Sequence, residues 1–245
     1  MTTKSGGRAA GGKGRGARHL HQKVKTARGR KTSSTRWLQR HLNDPYVQEA
    51  RARGFRSRAA FKIIELDDQF RFLKPGRTVV DLGCAPGGWT QVAVERVQSR
   101  PERERVLALD IQEVEPVPGA KILQLDMLAE DAPEIIKTAL GGPVDVVISD
   151  MAAATTGHAQ TDHLRTLALV EAAYDLAEEI LAPGGTFAAK VFQGGTEGEL
   201  LKRMKLKFQT VKHAKPPSSR KGSPETFVVA TGFKGRGIED MGEAE

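Results

Sequence analysis

A lysine inside an apolar stretch is the residue of this sequence whose surroundings most suggest chemistry. Lys190 interrupts residues 186–192, which otherwise consist mostly of residue types that proteins bury. A buried ammonium needs a partner, and Asp150 closes the preceding apolar run, where an adjacent strand would bring its carboxylate close. Such a lysine can accept a proton or stabilise negative charge that develops on an oxygen. A buried ion pair without a chemical role fits the same pattern.

Two further charged residues can reach the same cleft. Glu225 directly precedes the apolar run 226–230, and Lys62 lies on a predicted helix ahead of the first strand. From the pattern alone, both residues could instead be solvated side chains.

A glycine-rich turn follows the first predicted strand. Residues 78–90 form the pattern of a buried strand, a turn with glycines at 83, 87 and 88, and the start of a helix. The spacing differs from the pyrophosphate-binding loop of nicotinamide-dependent oxidoreductases and from the phosphate-binding loop that ends in Lys-Ser/Thr. Asp81 would repel a phosphate but suits a cofactor with a cationic amino-acid group, such as S-adenosylmethionine (SAM). An ordinary strand-to-helix turn is the alternative.

Alternating apolar runs and helical patterns predict an α/β fold with a doubly wound, mostly parallel, Rossmann-like sheet of seven strands. The last two strands are close enough in sequence to form an antiparallel hairpin at one edge. Ser57 is a plausible N-cap of the first helix of this region. The predicted strands are 77–82, 105–110, 120–125, 144–150, 186–192, 207–213 and 226–231, and further helices are predicted near 88–98, 131–140, 161–181 and 197–205.

Aspartates recur at the ends of the first four predicted strands, at Asp81, Asp110, Asp126 and Asp150. Ligands of doubly wound sheets bind outside the carboxyl ends of the strands. Asp110 follows the glycine turn by roughly 20 residues, where a carboxylate can accept hydrogen bonds from two ribose hydroxyls. Asp126 is placed to reach an adenine amino group. A single such aspartate is commonly a turn residue, but four in succession favour a ligand site.

Positive charge is concentrated at one end of the chain. The 245 residues carry a formal net charge of +8, and residues 1–43 contain 12 Lys/Arg and no acidic residue, which leaves 26 basic and 30 acidic residues in 44–245. We therefore predict a disordered, basic Gly/Arg-rich arm over 1–35 that binds a polyanion, a catalytic domain over 36–235 and an acidic tail over 236–245. A solubilising tail is the simpler interpretation of the arm.

Composition narrows the class of protein further. The single cysteine, Cys84, excludes an intramolecular disulfide and a Cys-rich metal cluster. No apolar run approaches the roughly 20 residues that span a bilayer, so a soluble cytoplasmic protein without a membrane partner is expected. The six histidines are scattered, and no metal site is expected. The sequence does not fix the oligomeric state, for which a monomer is the expectation.

Several motifs together resemble the FtsJ-type ribosomal RNA large-subunit methyltransferase E family. The resemblance covers roughly residues 45–233 and rests on Ser57-Arg58-Ala59-Ala60-Phe61-Lys62, residues 80–89, Ser149-Asp150-Met151-Ala152, residues 181–185, Lys190-Val191-Phe192-Gln193-Gly194, and Pro217-Ser218-Ser219-Arg220 with Glu225. It implies a catalytic tetrad of Lys62, Asp150, Lys190 and Glu225. It also implies SAM contacts at Gly87, Trp89, Asp110, Asp126 and Asp150.

The activity that the resemblance implies is methyl transfer from SAM to the ribose 2′-hydroxyl of a uridine in the A-loop of 23S ribosomal RNA (rRNA), on the assembled large subunit. Lys190 would either take the hydroxyl proton or stabilise the alkoxide as a cation. The chain departs from the family at Ala153, where a proline is usual, and in its longer basic arm. Two alternatives are a 2′-O-methyltransferase of transfer RNA or of an RNA cap, and a ribosome assembly factor with the same fold.

Overall fold

The computed structural model describes residues 32–153, 156–193 and 198–235. Two compact units divide the chain, Met1–Pro45 and Tyr46–Glu245, and helix α1 (Thr32–Leu42) belongs to the first. The predicted arm before residue 32 and the tail at 236–245 lie outside the described residues. Helix α1 crosses residue 35, where the arm was expected to end. The predicted domain limits stay predictions.

The second unit is an α/β fold built on one mixed sheet. Within the described residues the seven strands lie in the order β3-β2-β1-β4-β5-β7-β6. Neighbours among β1 to β5 pair in parallel, and β7 pairs antiparallel with both β5 and β6, so the predicted fold and its antiparallel edge are confirmed. The elements are α2 (Pro45–Ala52), α3 (Ala60–Phe70), β1 (Val79–Leu82), α4 (Gly88–Val97), β2 (Val106–Asp110), β3 (Ala120–Gln124), α5 (Ala132–Leu140), β4 (Val144–Ser149), α6 (Ala159–Ile180), β5 (Leu181–Phe192), α7 (Glu199–Lys207), β6 (Phe208–Ala214) and β7 (Glu225–Phe233).

Apolar side chains pack on both faces of this sheet. Every residue of β1 and β2 is buried, as expected for parallel strands that helices cover on both sides. One core contains Tyr174 of α6 and Phe187 of β5, and the other contains Ile63 of α3 and Trp89 of α4. Strand order reverses at β1, which lies between β2 and β4, and this is the point where doubly wound folds bind ligands.

Two local predictions differ from the structure. Ser57 is not the N-cap of α3, because the helix begins at Ala60 after Ala59, which already has helical φ and ψ and makes no side-chain cap. The Ser57 carbonyl instead accepts the Ala60 N–H in a preceding turn, at 3.3 Å. Strand β5 begins at Leu181 rather than near residue 186, since Leu181 already pairs with Val144 of β4. The register then shifts over residues 182–185, and regular pairing resumes with Thr186 beside Val146.

Candidate functional site

Four charged side chains converge just beyond the carboxyl end of β4. Lys62 Nζ lies 2.7 Å from Glu225 Oε2 and 3.3 Å from Asp150 Oδ2. Lys190 Nζ lies 3.1 Å from Asp150 Oδ1 and also donates to the Asp150 backbone carbonyl. The structure thus brings together all four residues predicted as catalytic, with Asp150 between the two lysines.

The register of the sheet explains this convergence. Parallel pairing of β4 and β5 sets Ser149 beside Ala189. Asp150 and Lys190 come directly after these two residues and are therefore neighbours. Antiparallel pairing sets Phe192 of β5 opposite Glu225 of β7. Lys62 approaches from α3, with its Nζ 5.7 Å from the centroid of the Phe227 ring. Side chains on or directly after four elements, α3, β4, β5 and β7, therefore meet at one point.

The tetrad is nearly enclosed and electrically balanced. Side-chain exposure is 9% for Lys190, 12% for Lys62, 13% for Glu225 and 17% for Asp150. Burial of a single one of these charges would be costly, but two ammonium groups here offset two carboxylates. Burial acts to raise the pKa of Glu225, yet the charge of Lys62 and the hydrogen bonds from Lys62 and Ser219 outweigh it and hold the pKa below its usual value.

Two serines that sequence reasoning assigned no role hold the tetrad in place. Ser219 Oγ donates to Glu225 Oε1 at 2.8 Å, so that each oxygen of this carboxylate has its own partner. The adjacent Ser218 donates through its N–H and its Oγ to Glu65 Oε2 of α3, at 2.8 and 2.6 Å, and its carbonyl accepts from Arg58. The only signal in the sequence was their place in the Pro217–Arg220 motif.

A cavity of about 440 Å³ opens beside the tetrad at the carboxyl ends of the strands. Asp150 belongs to the tetrad and also lines the cavity. Predicted cofactor contacts Asp110 and Asp126 also line it, and they accept hydrogen bonds from nearby backbone N–H groups at 2.8–3.0 Å. The larger apolar side chains of the lining, none of which the sequence predicted as part of a cavity wall, are Leu109, Ile111, Leu125, Met127, Leu128, Met151 and Leu169.

Two of the predicted cofactor residues do not direct side chains into this cavity. Trp89 is only 3% exposed, its Nε1 donates to the Ala59 carbonyl at 2.8 Å, and its ring lies beside Phe227 in the core. Gly87 has a φ of 105° and forms the N-cap of α4. As cofactor contacts these two residues stay predictions.

The glycine turn leaves backbone room that a side chain would fill. Gly83 has a φ of +71°, and a Cβ atom there would lie 2.1 Å from Cγ of Met151, a residue of the cavity wall. Arg56 fixes the same turn by donating to the Pro86 carbonyl at 3.1 Å and to the Glu115 carbonyl at 2.6 Å. Arg56 therefore connects the turn to the segment that contains Glu115.

Asp81 lies beneath this turn with 1% exposure and accepts a hydrogen bond from Thr90 Oγ1 at 2.7 Å. The pKa of Asp81 is raised to about 7, chiefly by burial and also by the charges of Asp150 and Asp110, while the Thr90 hydrogen bond acts to lower it. A nearby cation would favour the ionised form. Carboxylates that can accept from hydroxyls, attract a cation and face an apolar wall fit a SAM molecule, and the volume is within the usual range of ligand pockets.

The described residues contain neither a metal-ligand cluster nor a helix that could span a membrane. No group of three or more His, Cys, Asp or Glu side chains there could hold a metal ion. None of the described helices combines the length and apolar character that crossing a membrane requires.

The sequence and structure are similar to those of known proteins. The model of the family described as FtsJ-like methyltransferase matches residues 55–233. The ribosomal RNA large subunit methyltransferase E of Paramagnetospirillum magneticum is 63% identical over 235 residues, or 95% of this chain and 96% of that protein. The corresponding protein of Rhodospirillum rubrum is 58% identical over 99% of this chain and 93% of its own length. A ribosomal RNA methyltransferase structure from Plasmodium falciparum aligns with a TM-score of 0.66 and 30% identity over 74% of this chain and 100% of that one.

Proposed function

The chain belongs to the FtsJ-like methyltransferase family, and we propose that it transfers a methyl group from SAM to the ribose 2′-hydroxyl of a uridine in the A-loop of 23S rRNA, on the assembled large subunit. Family and relatives make it a SAM-dependent RNA methyltransferase that acts on rRNA. The observation that carries the finer proposal is the convergence of Lys62, Asp150, Lys190 and Glu225 beside the cavity.

A ribose hydroxyl is the acceptor that suits this site. It is a poor nucleophile at neutral pH, so its proton must be removed or the developing charge on its oxygen must be stabilised. A lysine held by a carboxylate can do either. Methylation of a nucleobase through a cysteine nucleophile does not suit this site. The thiol of Cys84 has its pKa raised to about 12 by burial, together with the charges of Asp81 and Asp110, and a protonated thiol is a poor nucleophile.

SAM, when bound, supplies an electrophilic methyl group on a positively charged sulfur. In our proposal Lys190 contacts the 2′-oxygen, either as the base that takes the proton or as the ammonium that stabilises the alkoxide. Asp150 positions Lys190 through the 3.1 Å contact, and Glu225 positions Lys62 through the 2.7 Å contact. Much of the rate enhancement would come from holding the hydroxyl in line with the methyl group.

Residues of the cavity would hold the cofactor. Asp110 would accept from the ribose hydroxyls of SAM and Asp126 from its adenine amino group, while Asp150 would face its methionine end. Gly87 and Trp89 would contribute through their backbone, since the Trp89 indole is buried in the core. An rRNA substrate implies a cytoplasmic location.

The two alternatives make different predictions. A transfer RNA or cap methyltransferase would use the same tetrad on another RNA, and an assembly factor would bind the subunit without methylating it. The relatives favour rRNA, since their names specify the large-subunit RNA.

Mapping of 2′-O-methylated nucleotides in cells with and without this protein tests the substrate. We expect one uridine of the A-loop to lose its methyl group in the absence of the protein, with restoration by the wild-type gene. Unchanged rRNA together with loss of a methyl group from transfer RNA would support the alternative enzyme. Unchanged methylation of all RNA would reject the proposal.

A further inference from the structure

One edge of the sheet carries a long stretch of positive charge that the tetrad does not use. Residues 200–224 contain eight Lys/Arg and no acidic residue, whereas the remainder of 44–245 contains 18 basic and 30 acidic residues. This segment forms most of α7, all of β6, and the loop that leads to Glu225. Its positive charge is therefore a local property in a domain that is otherwise acidic.

The half of this segment nearest the tetrad exposes four cations, which we call the basic edge: Lys212, Lys215, Arg220 and Lys221. Strand β6 is the outermost strand and runs parallel to β5, so the loop after it lies at the same end of the sheet as the tetrad. Lys212 pairs with Val229, whose side chain belongs to the core on the α3 face. Val229 lies four residue steps along β7 from Glu225, or about 13 Å at ~3.3 Å per residue.

Hydrogen bonds fix the basic edge relative to the tetrad. Lys215 Nζ donates to the Ser223 carbonyl at 2.6 Å and so closes the loop on itself. Ser218 binds Glu65 of α3, and Ser219 binds Glu225 of the tetrad. A polyanion bound to this loop would therefore lie at a set distance from the catalytic lysine.

We propose that the basic edge binds the phosphate backbone of the rRNA strand that flanks the methylated nucleotide. This inference rests on the proposed function and adds the surface on which the substrate lies. Exposed lysines and arginines make contacts with phosphates that are independent of sequence and position the nucleic acid. The 13 Å offset corresponds to about four stacked nucleotides at ~3.4 Å each, so the contacted phosphates would be close neighbours of the target ribose.

Charge reversal in the full-length protein tests this surface. The variant Lys212→Glu/Lys221→Glu alters two exposed lysines, and neither side chain makes a hydrogen bond or ion pair within the described part of the chain. Its matched control is Arg100→Glu/Arg103→Glu, which changes the net charge equally. These arginines are exposed in the loop before β2, at the opposite end of the strands, and their mutual contacts are backbone hydrogen bonds.

Affinity for protein-free large-subunit rRNA is measured over a range of salt concentrations, alongside SAM binding. We expect the edge variant to bind about 10-fold or more weakly at low salt, and the slope of log K against log salt to become shallower by about 1.4 to 1.8, since each of the two lost phosphate contacts removes ~0.7–0.9. SAM affinity should be unchanged, and the control variant should retain both the affinity for RNA and the salt slope.

Equal losses in both variants would contradict the proposal, because they would reflect net charge alone. So would an edge variant that binds free rRNA normally and fails only on the assembled subunit, a result that would assign the basic edge to an acidic protein partner. The proposed function is tested separately by the wild-type protein. If the wild-type protein transfers no methyl group to rRNA, that function fails whatever the two variants bind.

Discussion

At the scale of single residues, the geometry of the site depends on which partner each carboxylate oxygen contacts. Glu225 gives one oxygen to Lys62 and the other to Ser219, and Asp150 lies between both lysines. Sequence patterns could identify Lys190 and Asp150, because a charge in an apolar strand needs a partner. The pattern made Glu225 and Lys62 candidates for the same cleft but left solvated side chains open as the alternative, and the family resemblance assigned both residues to the tetrad.

Ser219→Ala should impair turnover and shift its pH dependence. Loss of one hydrogen bond, of about 1 kcal/mol, should lower kcat at pH 7 by roughly 3- to 10-fold, while KM for SAM stays the same. Because that hydrogen bond helps to lower the pKa of Glu225, its removal raises the pKa, and activity should be lost at a higher pH on acidification. The same ionised carboxylate stabilises the fold above its unfolded pKa, and this contribution disappears as the pH falls through the folded pKa.

Full pH–rate profiles of the wild-type, Ser219→Ala and Ser219→Thr proteins provide the measurement. The threonine variant retains a hydroxyl and should restore the wild-type acidic limb. A Ser219→Ala profile that is lower at every pH but unshifted would show that Ser219 supports the fold without positioning Glu225.

At the scale of elements, the strands were more predictable than the turns between them. All seven strands were predicted, and the clearest were β1 and β2, which are continuous apolar runs because helices cover both of their faces. The start of α3 was wrong, since Ser57 suggested a cap but the chain turns through Ala59 before the helix begins. The cavity wall, including Met151, depends on how loops after different strands meet, and no local pattern records that.

Gly83→Ala should lower SAM affinity and stability more than Gly141→Ala does. Gly83 and Gly141 both have positive φ, but a Cβ at 83 would collide with Met151 while none of the described atoms lies within 4 Å of one at 141. Both alanine variants should lose about 1 kcal/mol of unfolding free energy through backbone strain. We expect a further loss for Gly83→Ala, with SAM affinity reduced at least 10-fold.

Chemical denaturation and calorimetric titration with SAM would measure the two effects. Gly141→Ala, at the C-cap of α5, should bind SAM like the wild type. Equal behaviour of the two variants in both measurements would mean that the turn at Gly83 does not shape the cofactor cavity.

At the scale of the whole molecule, our proposals divide the charged residues between catalysis and substrate binding. The tetrad is neutral and enclosed, whereas the basic edge is exposed within a domain that is acidic elsewhere. Fold class followed from the sequence because alternating helices and strands admit few topologies. The basic edge did not follow from the sequence, because its charges lie together only as a result of β6 being the outermost strand. The basic arm at 1–35, expected to add phosphate contacts, lies largely outside the described residues.

We propose that the buried lysine of the tetrad promotes methyl transfer to a ribose oxygen of rRNA. The most direct test of this proposal is transfer of a labelled methyl group from SAM to unmethylated large subunits, followed by nucleoside analysis, for the wild-type, Lys190→Met and Lys121→Met proteins. Lys121 is an exposed lysine on β3, at the opposite edge of the sheet.

We predict labelled 2′-O-methyluridine with the wild-type and Lys121→Met proteins, and a rate lower by about 10² to 10⁴ with Lys190→Met, consistent with loss of a base or an oxyanion stabiliser, although SAM still binds. Lys190→Arg then separates the two roles, because a guanidinium keeps the charge but cannot act as a base. Label on a base atom, or full activity of Lys190→Met, would contradict the account.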